Sequence, residues 1–385
     1  MRVLFFANRM PDLCGAFLHD IDLAVELQKR GHTTAFLTIE KPKEGYNGGV
    51  WRGFRFMHYS AAGSMLDNSE LWICPHAPCL PYVRKLNSRG YNRPIAVTAH
   101  FDGQYKVLTS LASNDWCEMF LFINHIMEGH FRREVNPFPP TIVRTGIVRP
   151  LMNEAKIRMD EPPNGDMITL VNANVNKGVH QFIELAKRMP DRNFLGVRPY
   201  YGELWIPAAP QNVEWIPFDD DVRNILKRTR ILLFPSNYES FGRIAVEAMY
   251  NGIPVIYSKP ATKNVGIVGT TEGVEEWILP AGIGCEREVP EQWIDAIKAL
   301  DDETAYATKR EEVKAHVQSM DIFSEANRIA GMMESFQREH PVQIIQQTVQ
   351  TAPAARQEPP NPASLRPPPA VARIGFSSGR LRIQR

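Results

Sequence analysis

Short apolar runs, each bounded by polar or turn-forming residues, recur through the first 340 positions and alternate with stretches of helical spacing. Val3–Asn8 is apolar almost without interruption, as expected of a strand covered on both faces. In "DLCGAFLHDIDLAVELQKRGH", Leu18, Ile21, Ala24, Val25 and Leu27 fall near a helical repeat. Basic residues fill its last turn and Gly31 supplies the stop. "TTAFLTI" is the next strand. Strand, helix and strand in that order predict a right-handed βαβ unit, and so a parallel sheet.

The same style continues in the runs Leu71–Cys74, Ile95–Thr98, Met119–Ile123 and Thr141–Val143, each read as a strand. Between Arg149 and Gly165 the pattern breaks, with Pro150, Pro162, Pro163 and Asn164 in polar surroundings, and the linker is placed at 151–165. A second series begins with "DMITLVNANVNKGVHQFIELAKRMPD", read as strand, loop and helix. "RNFLGV" and "VEWIPF" predict strands and "DDDVRNILKRT" a helix opened by acids. "ILLFPS" is a strand, "GRIAVEAMYN" a helix closed by Gly252, and "PVIYS" a strand. Helices are expected at Glu291–Leu300, Ala305–Val317 and Ile322–Glu339, the last free to pack back on the first domain. The expected fold is α/β, with two doubly wound Rossmann-like domains, 1–150 and 166–340, facing a central cleft. Ligands in such sheets sit at the carboxyl ends of the strands.

Composition narrows the classes. Hydrophobic residues make up 44% and charged ones 23% of 385, with a net charge of +1, so no global excess points to nucleic acid or membrane. The charge is uneven: residues 341–385 hold six Arg, no Lys and one acid, Glu358, in Pro-rich sequence without periodicity. That tail is expected to be disordered, with weak polyanion or peripheral membrane contact as its sharper role. Cys14, Cys74, Cys79, Cys117 and Cys285 are odd in number and scattered, which favours a reducing, cytoplasmic compartment over a disulfide framework. No apolar run is long enough to span a membrane, and the first residues read as a strand, not a leader.

The densest chemistry lies in "PSNYESFGRIAVEAMYNGIPVI", residues 235–256. A strand ends at Pro235-Ser236, Gly242 allows close backbone approach, and a helix begins there. Its free N–H groups and dipole form an anion site, most simply for phosphate. Glu247, more than one turn into the helix, suits two adjacent hydroxyls such as those of a ribose. Glu239, before the helix, suits the hydroxyls of a sugar. For an isolated pair of acids the plainer reading is dipole stabilisation by Glu239 and a solvent-facing Glu247.

The surrounding sequence decides otherwise. Pro235-Ser236, Glu239, Phe241-Gly242, Glu247-Ala248-Met249 and Gly252-Ile253-Pro254-Val255 strongly resemble the Glu-x7-Glu signature of retaining GT-B-fold glycosyltransferases of the family-four type. "NVNKGVHQFIELAKRMPDRNF" is similar to that family's Lys-Gly loop and helix, and "TAHFD" to the segment carrying a histidine of the first domain, here His100. Gly15 stands alone where many members have a glycine pair. Val171-Asn172-Ala173-Asn174 lacks the usual Arg before the Lys, leaving Arg243 or Arg198 as the second phosphate clamp.

The resemblance implies transfer of a sugar from a nucleotide-diphosphate donor to an acceptor hydroxyl with retention, without metal or cofactor. The acceptor would be a glycan, a lipid-linked sugar or a modified nucleic acid. It implies Glu239, His100 and Lys177 as catalytic residues. Glu247, Ser240, Phe241, Gly242, Arg243, Lys177 and Gly15 would hold the donor. A nucleotide-sugar epimerase or phosphorylase on the same fold, and a non-catalytic sugar- or nucleic-acid-binding member, stay open as alternatives.

Other clusters have plainer readings. Asp219-Asp220-Asp221 precedes a helix and reads as a cap more than a metal motif. His125, Glu128 and His130 lack zinc-protease spacing. Cys74, His76 and Cys79 lack a second ligand pair. Arg84, Lys85, Arg89 and Arg93 are expected on a solvated face, or facing an anionic acceptor or lipid surface.

Overall fold

The computed structural model describes residues 1–8, 14–41, 49–74, 79–100, 118–135, 143–200, 208–259, 274 and 280–342. Fourteen strands among them form two sheets. The first holds β1 (Arg2–Ala7), β2 (Thr33–Thr38), β3 (Val50–Trp51), β4 (Phe54–His58), β5 (Leu71–Cys74), β6 (Ile95–Ala99), β7 (Glu118–Phe122) and β8 (Val143–Ile147), in the order β3-β4-β2-β1-β5-β6-β7-β8. The second holds β9 (Met167–Leu170), β10 (Phe194–Val197), β11 (Val213–Ile216), β12 (Thr229–Phe234), β13 (Val255–Ser258) and β14 (Ile283–Cys285), in the order β11-β10-β9-β12-β13-β14. Every pairing is parallel except β3 with β4. Both sheets therefore have the doubly wound order, in which the first strand lies centrally and the direction of winding reverses beside it. The reversals fall between β1 and β5 and between β9 and β12.

The helices are α1 (Gly15–Lys29), α2 (Gly63–Asn68), α3 (Leu80–Asn87), α4 (His125–Val135), α5 (Glu154–Ile157), α6 (Val179–Arg188), α7 (Val222–Leu226), α8 (Arg243–Tyr250), α9 (Pro290–Ala299), α10 (Glu303–Ser319) and α11 (Glu325–Glu339). Central strands such as β1, β5, β6 and β12 are buried nearly along their length, which explains why they read as unbroken apolar runs. Phe5 stacks on Phe36 at 4.8 Å between ring centroids, and Phe17 carries α1 onto Phe36. The same core runs on through Ala245, Val246 and Met249 of α8 and Ile329, Met333 and Phe336 of α11. A second core under the opposite face of the second sheet is built on Phe182, Phe194 and Trp293.

Helix α11 returns to the first sheet. Arg30, next to α1, donates to Glu334 at 3.1 Å, and Glu334 also accepts from His32 at 2.8 Å. At the β8 end, Arg149 N donates to Glu325 at 2.7 Å and Arg328 to the Ile147 carbonyl at 2.7 Å.

Two elements depart from the sequence reading. The eighth strand is Val143–Ile147, not Thr141–Val143, and residues 141 and 142 lie outside the described set. Its residues Arg144, Thr145 and Gly146 hide an edge strand that is only partly covered. Helix α11 starts at Glu325, not Ile322: Asp321 takes a left-handed turn, φ +48, and the buried Ile322 after it packs into the core before the helix begins. The Pro/Arg-rich segment 343–385 lies outside the described residues.

Candidate functional site

The chain leaves β9 through 171–178 into α6 and leaves β12 through 235–242 into α8. These are the two strands flanking the reversal in the second sheet. Both helices start at a left-handed glycine, Gly178 with φ +83 and Gly242 with φ +81, a conformation that costs a side-chain-bearing residue about 1–2 kcal/mol. The loops meet backbone to backbone. Asn237 N donates to the Asn176 carbonyl at 2.8 Å, and a Cβ on Gly178 would lie 2.3 Å from the Pro235 oxygen. Two helix N-termini are thus held side by side at one sheet edge, each with the positive end of its dipole. Such a pair suits a phosphate or diphosphate.

Charged side chains converge on the same edge. Lys177 Nζ forms an ion pair with Glu239, which also accepts from Ser236 Oγ at 2.8 Å. The Ser236 carbonyl in turn accepts from Ser258 Oγ at 2.6 Å, so β13 buttresses the loop. Arg287, just beyond β14, donates to the Pro235 carbonyl at 3.1 Å and adds a second cation to this edge. Arg198, at the carboxyl end of β10, is exposed. The Ser240 carbonyl accepts from Asn124 Nδ2 at 3.0 Å, a bond from the end of β7 in the first sheet. Phe241 is buried under the turn at 2% exposure.

Glu247 and Arg243 lie one helical turn apart on α8, and both are nearly enclosed. Arg243 Nε donates to Glu247 Oε1 at 2.8 Å. Its Nη1 donates to the Leu151 carbonyl at 2.8 Å, and Nη2 lies 3.5 Å from Asp22 on α1. Burial pushes the Glu247 carboxyl above its ordinary range, and the Arg243 guanidinium opposes that push. The guanidinium of Arg243, expected as a phosphate clamp, is bonded here to α8, the linker and α1. Glu247 is buried and paired, which removes the reading of a solvent-facing acid.

The first sheet places its candidates differently. Gly15 opens α1 with open space around it. His100 follows β6, is buried, and its ring sits 5.2 Å from that of His19, edge to face. His19 Nδ1 accepts from Leu151 N at 3.0 Å. Burial, with Arg243 nearby, drives the His19 pKa down to about 3, so the ring stays neutral. Asp20 is fully enclosed, neither of its oxygens has a hydrogen-bond partner among the described residues, and burial pushes its carboxyl well up. The structure therefore brings Lys177, Glu239, Ser240, Phe241 and Gly242 together at one edge. It sets Glu247 and Arg243 just inside it, and holds His100 and Gly15 on the other sheet.

The remaining clusters resolve as follows. Asp221 caps α7 through the Arg223 N–H at 3.1 Å, while Asp219 accepts from Asp221 N at 2.8 Å. Glu128 engages Arg132 and Thr145. Among the described residues no group of three acids, histidines or cysteines could hold a metal ion, and no helix is long and apolar enough to cross a membrane. Cys74 and Cys79 are buried, and His76 lies outside the described residues. The solvated basic face is corrected in part. Arg84, turned toward the sheet by α3, makes a buried two-pronged pair with Glu118, and Arg93, just before β6, is buried with a bond to the Asp67 carbonyl.

Reading the sequence missed Ser236, Asn124, Asp22 and Arg287. Ser236 sits inside the quoted motif and was within reach, whereas the other three are distant in sequence and meet the site only through the fold.

Residues 160–316 match the family model described as glycosyl transferases group 1. No curated protein matches the chain significantly. Among solved structures, sucrose-phosphate synthase from Thermosynechococcus elongatus is similar at 14% identity and TM-score 0.64, covering 88% of this chain and 99% of that one. WaaG, a glycosyltransferase involved in lipopolysaccharide biosynthesis, is similar at 13% identity and TM-score 0.61, covering 86% and 99%. An alpha-glucosyltransferase in complex with UDP and a 13-mer DNA containing a HMU base is similar at 13% identity and TM-score 0.63, covering 87% and 99%. The chain thus has the GT-B fold, and its residues 160–316 are similar to the group 1 glycosyl transferases.

Proposed function

We propose that the protein is a retaining, metal-independent glycosyltransferase that moves a sugar from a nucleotide-diphosphate donor to an acceptor hydroxyl. The observation that carries this reading is the pairing of the two helix starts at Gly178 and Gly242 with Lys177 and Glu239 between them. The diphosphate lies across the helix starts, where Lys177 and the N–H groups take up charge developing on the leaving β-phosphate. That role is electrostatic and needs no proton transfer from the protein. Diphosphate oxygens then replace the Glu239 carboxylate as the partner of Lys177. Glu239, released but still held by Ser236, accepts hydrogen bonds from the donor sugar. Glu247 takes the ribose. His100, from the first sheet, faces the sugar and diphosphate. One of the similar solved structures is a complex with UDP, which makes uridine donors the first to try. The acceptor is a glycan, a lipid-linked sugar or a modified nucleic acid.

The test is incubation of the full chain with UDP-, GDP- and ADP-sugars, with and without simple acceptors and with chelator present. Release of nucleoside diphosphate and a product of retained anomeric configuration, insensitive to chelator, support the reading. Epimerised donor, phosphate-dependent release, or loss of turnover in chelator would count against it.

A further inference from the structure

We infer that Arg243 and Asp22 are positioning residues for Glu247, so that the nucleotide-binding carboxylate of the second sheet is set by a helix of the first. This rests on the proposal that Glu247 binds the donor's ribose. The geometry is a chain of three buried groups. Glu247 accepts from Arg243 Nε at 2.8 Å, and the far side of the same guanidinium faces Asp22, whose side chain is 6% exposed. Asp22 is itself held by Lys156 Nζ at 3.0 Å, from α5 in the linker. The third direction of the guanidinium is filled by the Leu151 carbonyl. A planar fork with three acceptors on three different elements has no freedom to turn. The Glu247 carboxylate hydrogen-bonded to it is equally fixed. Two hydroxyls on adjacent ring carbons accept only a narrow range of carboxylate orientations, so this rigidity bears directly on ribose affinity.

Arg243 has a second effect. A buried carboxyl without a cation takes up a proton near neutral pH, and a protonated Glu247 could no longer accept from both hydroxyls. The charged groups around it are Arg243 from its own helix and Asp22 from α1, with Lys156 behind Asp22. His19, close to Arg243, stays neutral and does not compete. Asp22 as a like charge favours the protonated form of Glu247, whereas Arg243 favours the ionised form. The two partners therefore separate position from protonation. Loss of Asp22 frees the guanidinium yet makes Glu247 easier to ionise, while loss of Arg243 disturbs both.

Calorimetric titration of UDP, GDP and ADP into the full chain tests this, with Asp22→Asn, Arg243→Lys, Arg243→Met, Glu247→Ala and the double variant Asp22→Asn/Arg243→Met, each between about pH 6 and 9. Asp22→Asn preserves shape and should weaken the bound nucleotide about tenfold with no new pH dependence. Arg243→Met should weaken it further, with affinity recovering as pH rises. Arg243→Lys keeps a cation and should remove that pH dependence while leaving the affinity loss. The double variant should bind no more weakly than Arg243→Met. Wild-type affinity in Asp22→Asn, or additive losses in the double variant, would overturn the assignment while loss of binding in Glu247→Ala upholds the donor site. Failure of the wild type to bind any of the three nucleotides would instead remove the donor site, and this inference with it.

Discussion

The break in strand order of the second sheet and that of the first share a topology and differ in what they present. Beside β9 and β12, two left-handed glycines open two helices, and Lys177, Glu239 and Ser236 gather in front of them with charge still reachable from solvent. Beside β1 and β5, helix α1 turns His19 and Asp20 inward, where burial holds the His19 pKa near 3 and pushes the Asp20 carboxyl well up. One edge gathers a lysine and an acid in front of two helix starts, while at the other His19 holds the Leu151 N–H and Asp20 is enclosed. Strand order tells where a ligand site can form, and the ionisation state of the lining tells which of two equivalent places is used.

The largest expected effect tests the tight meeting of the two loops. Gly178→Ala forces a Cβ onto the Pro235 carbonyl in a left-handed conformation and should cost about 3 kcal/mol in a denaturant titration. A neutral result would mean that the helix starts are not locked together. Next, Lys177→Met should lower kcat/KM about a hundredfold, the scale for removing one preorganised electrostatic donor. His19→Asn, which keeps an acceptor for Leu151 N, should leave nucleotide affinity unchanged. Were His19→Asn instead to match Lys177→Met, the contrast between the crevices would fall.

His19 sharpens the comparison through pH. Its folded pKa, about 3, lies below the ordinary 6.5, so its contribution to stability is complete above 6.5 and is lost as pH falls toward 3. Between pH 7 and 5 the wild type should lose about 2 kcal/mol from this group, and His19→Asn should lack that loss in paired chemical melts. The smallest effect belongs to the exposed Arg198, where alanine should weaken nucleoside diphosphate binding less than about fivefold.

Parallel strands announce themselves in sequence because both of their faces are covered, and β1, β5, β6 and β12 read correctly from apolar runs alone. The hairpin of β3 and β4 escaped, since Trp51-Arg52-Gly53-Phe54 turns on a left-handed Arg52-Gly53 pair that no apolar pattern marks. Strand β8 escaped for its polar edge residues. Within the site, Gly242 and Gly178 were readable as helix starts because only glycine sits easily at φ near +80. The partners of Arg243 were not readable. Asp22 precedes it by more than two hundred positions, and nothing in either local pattern records that the two helices meet.

The two peptide groups flanking the Leu151 Cα are each held, one through the Leu151 N–H by His19 and the next through the Leu151 oxygen by Arg243. A residue so gripped on both sides is a poor pivot. Any swing of one sheet past the other must draw its torsion from the stretch after α5, where Pro162 and Pro163 stiffen the path, and from the left-handed turn at Asp321 on the return crossing. Motion would then run about an axis through two separated joints, a door on two pins, with Leu151 as the latch beside the jamb.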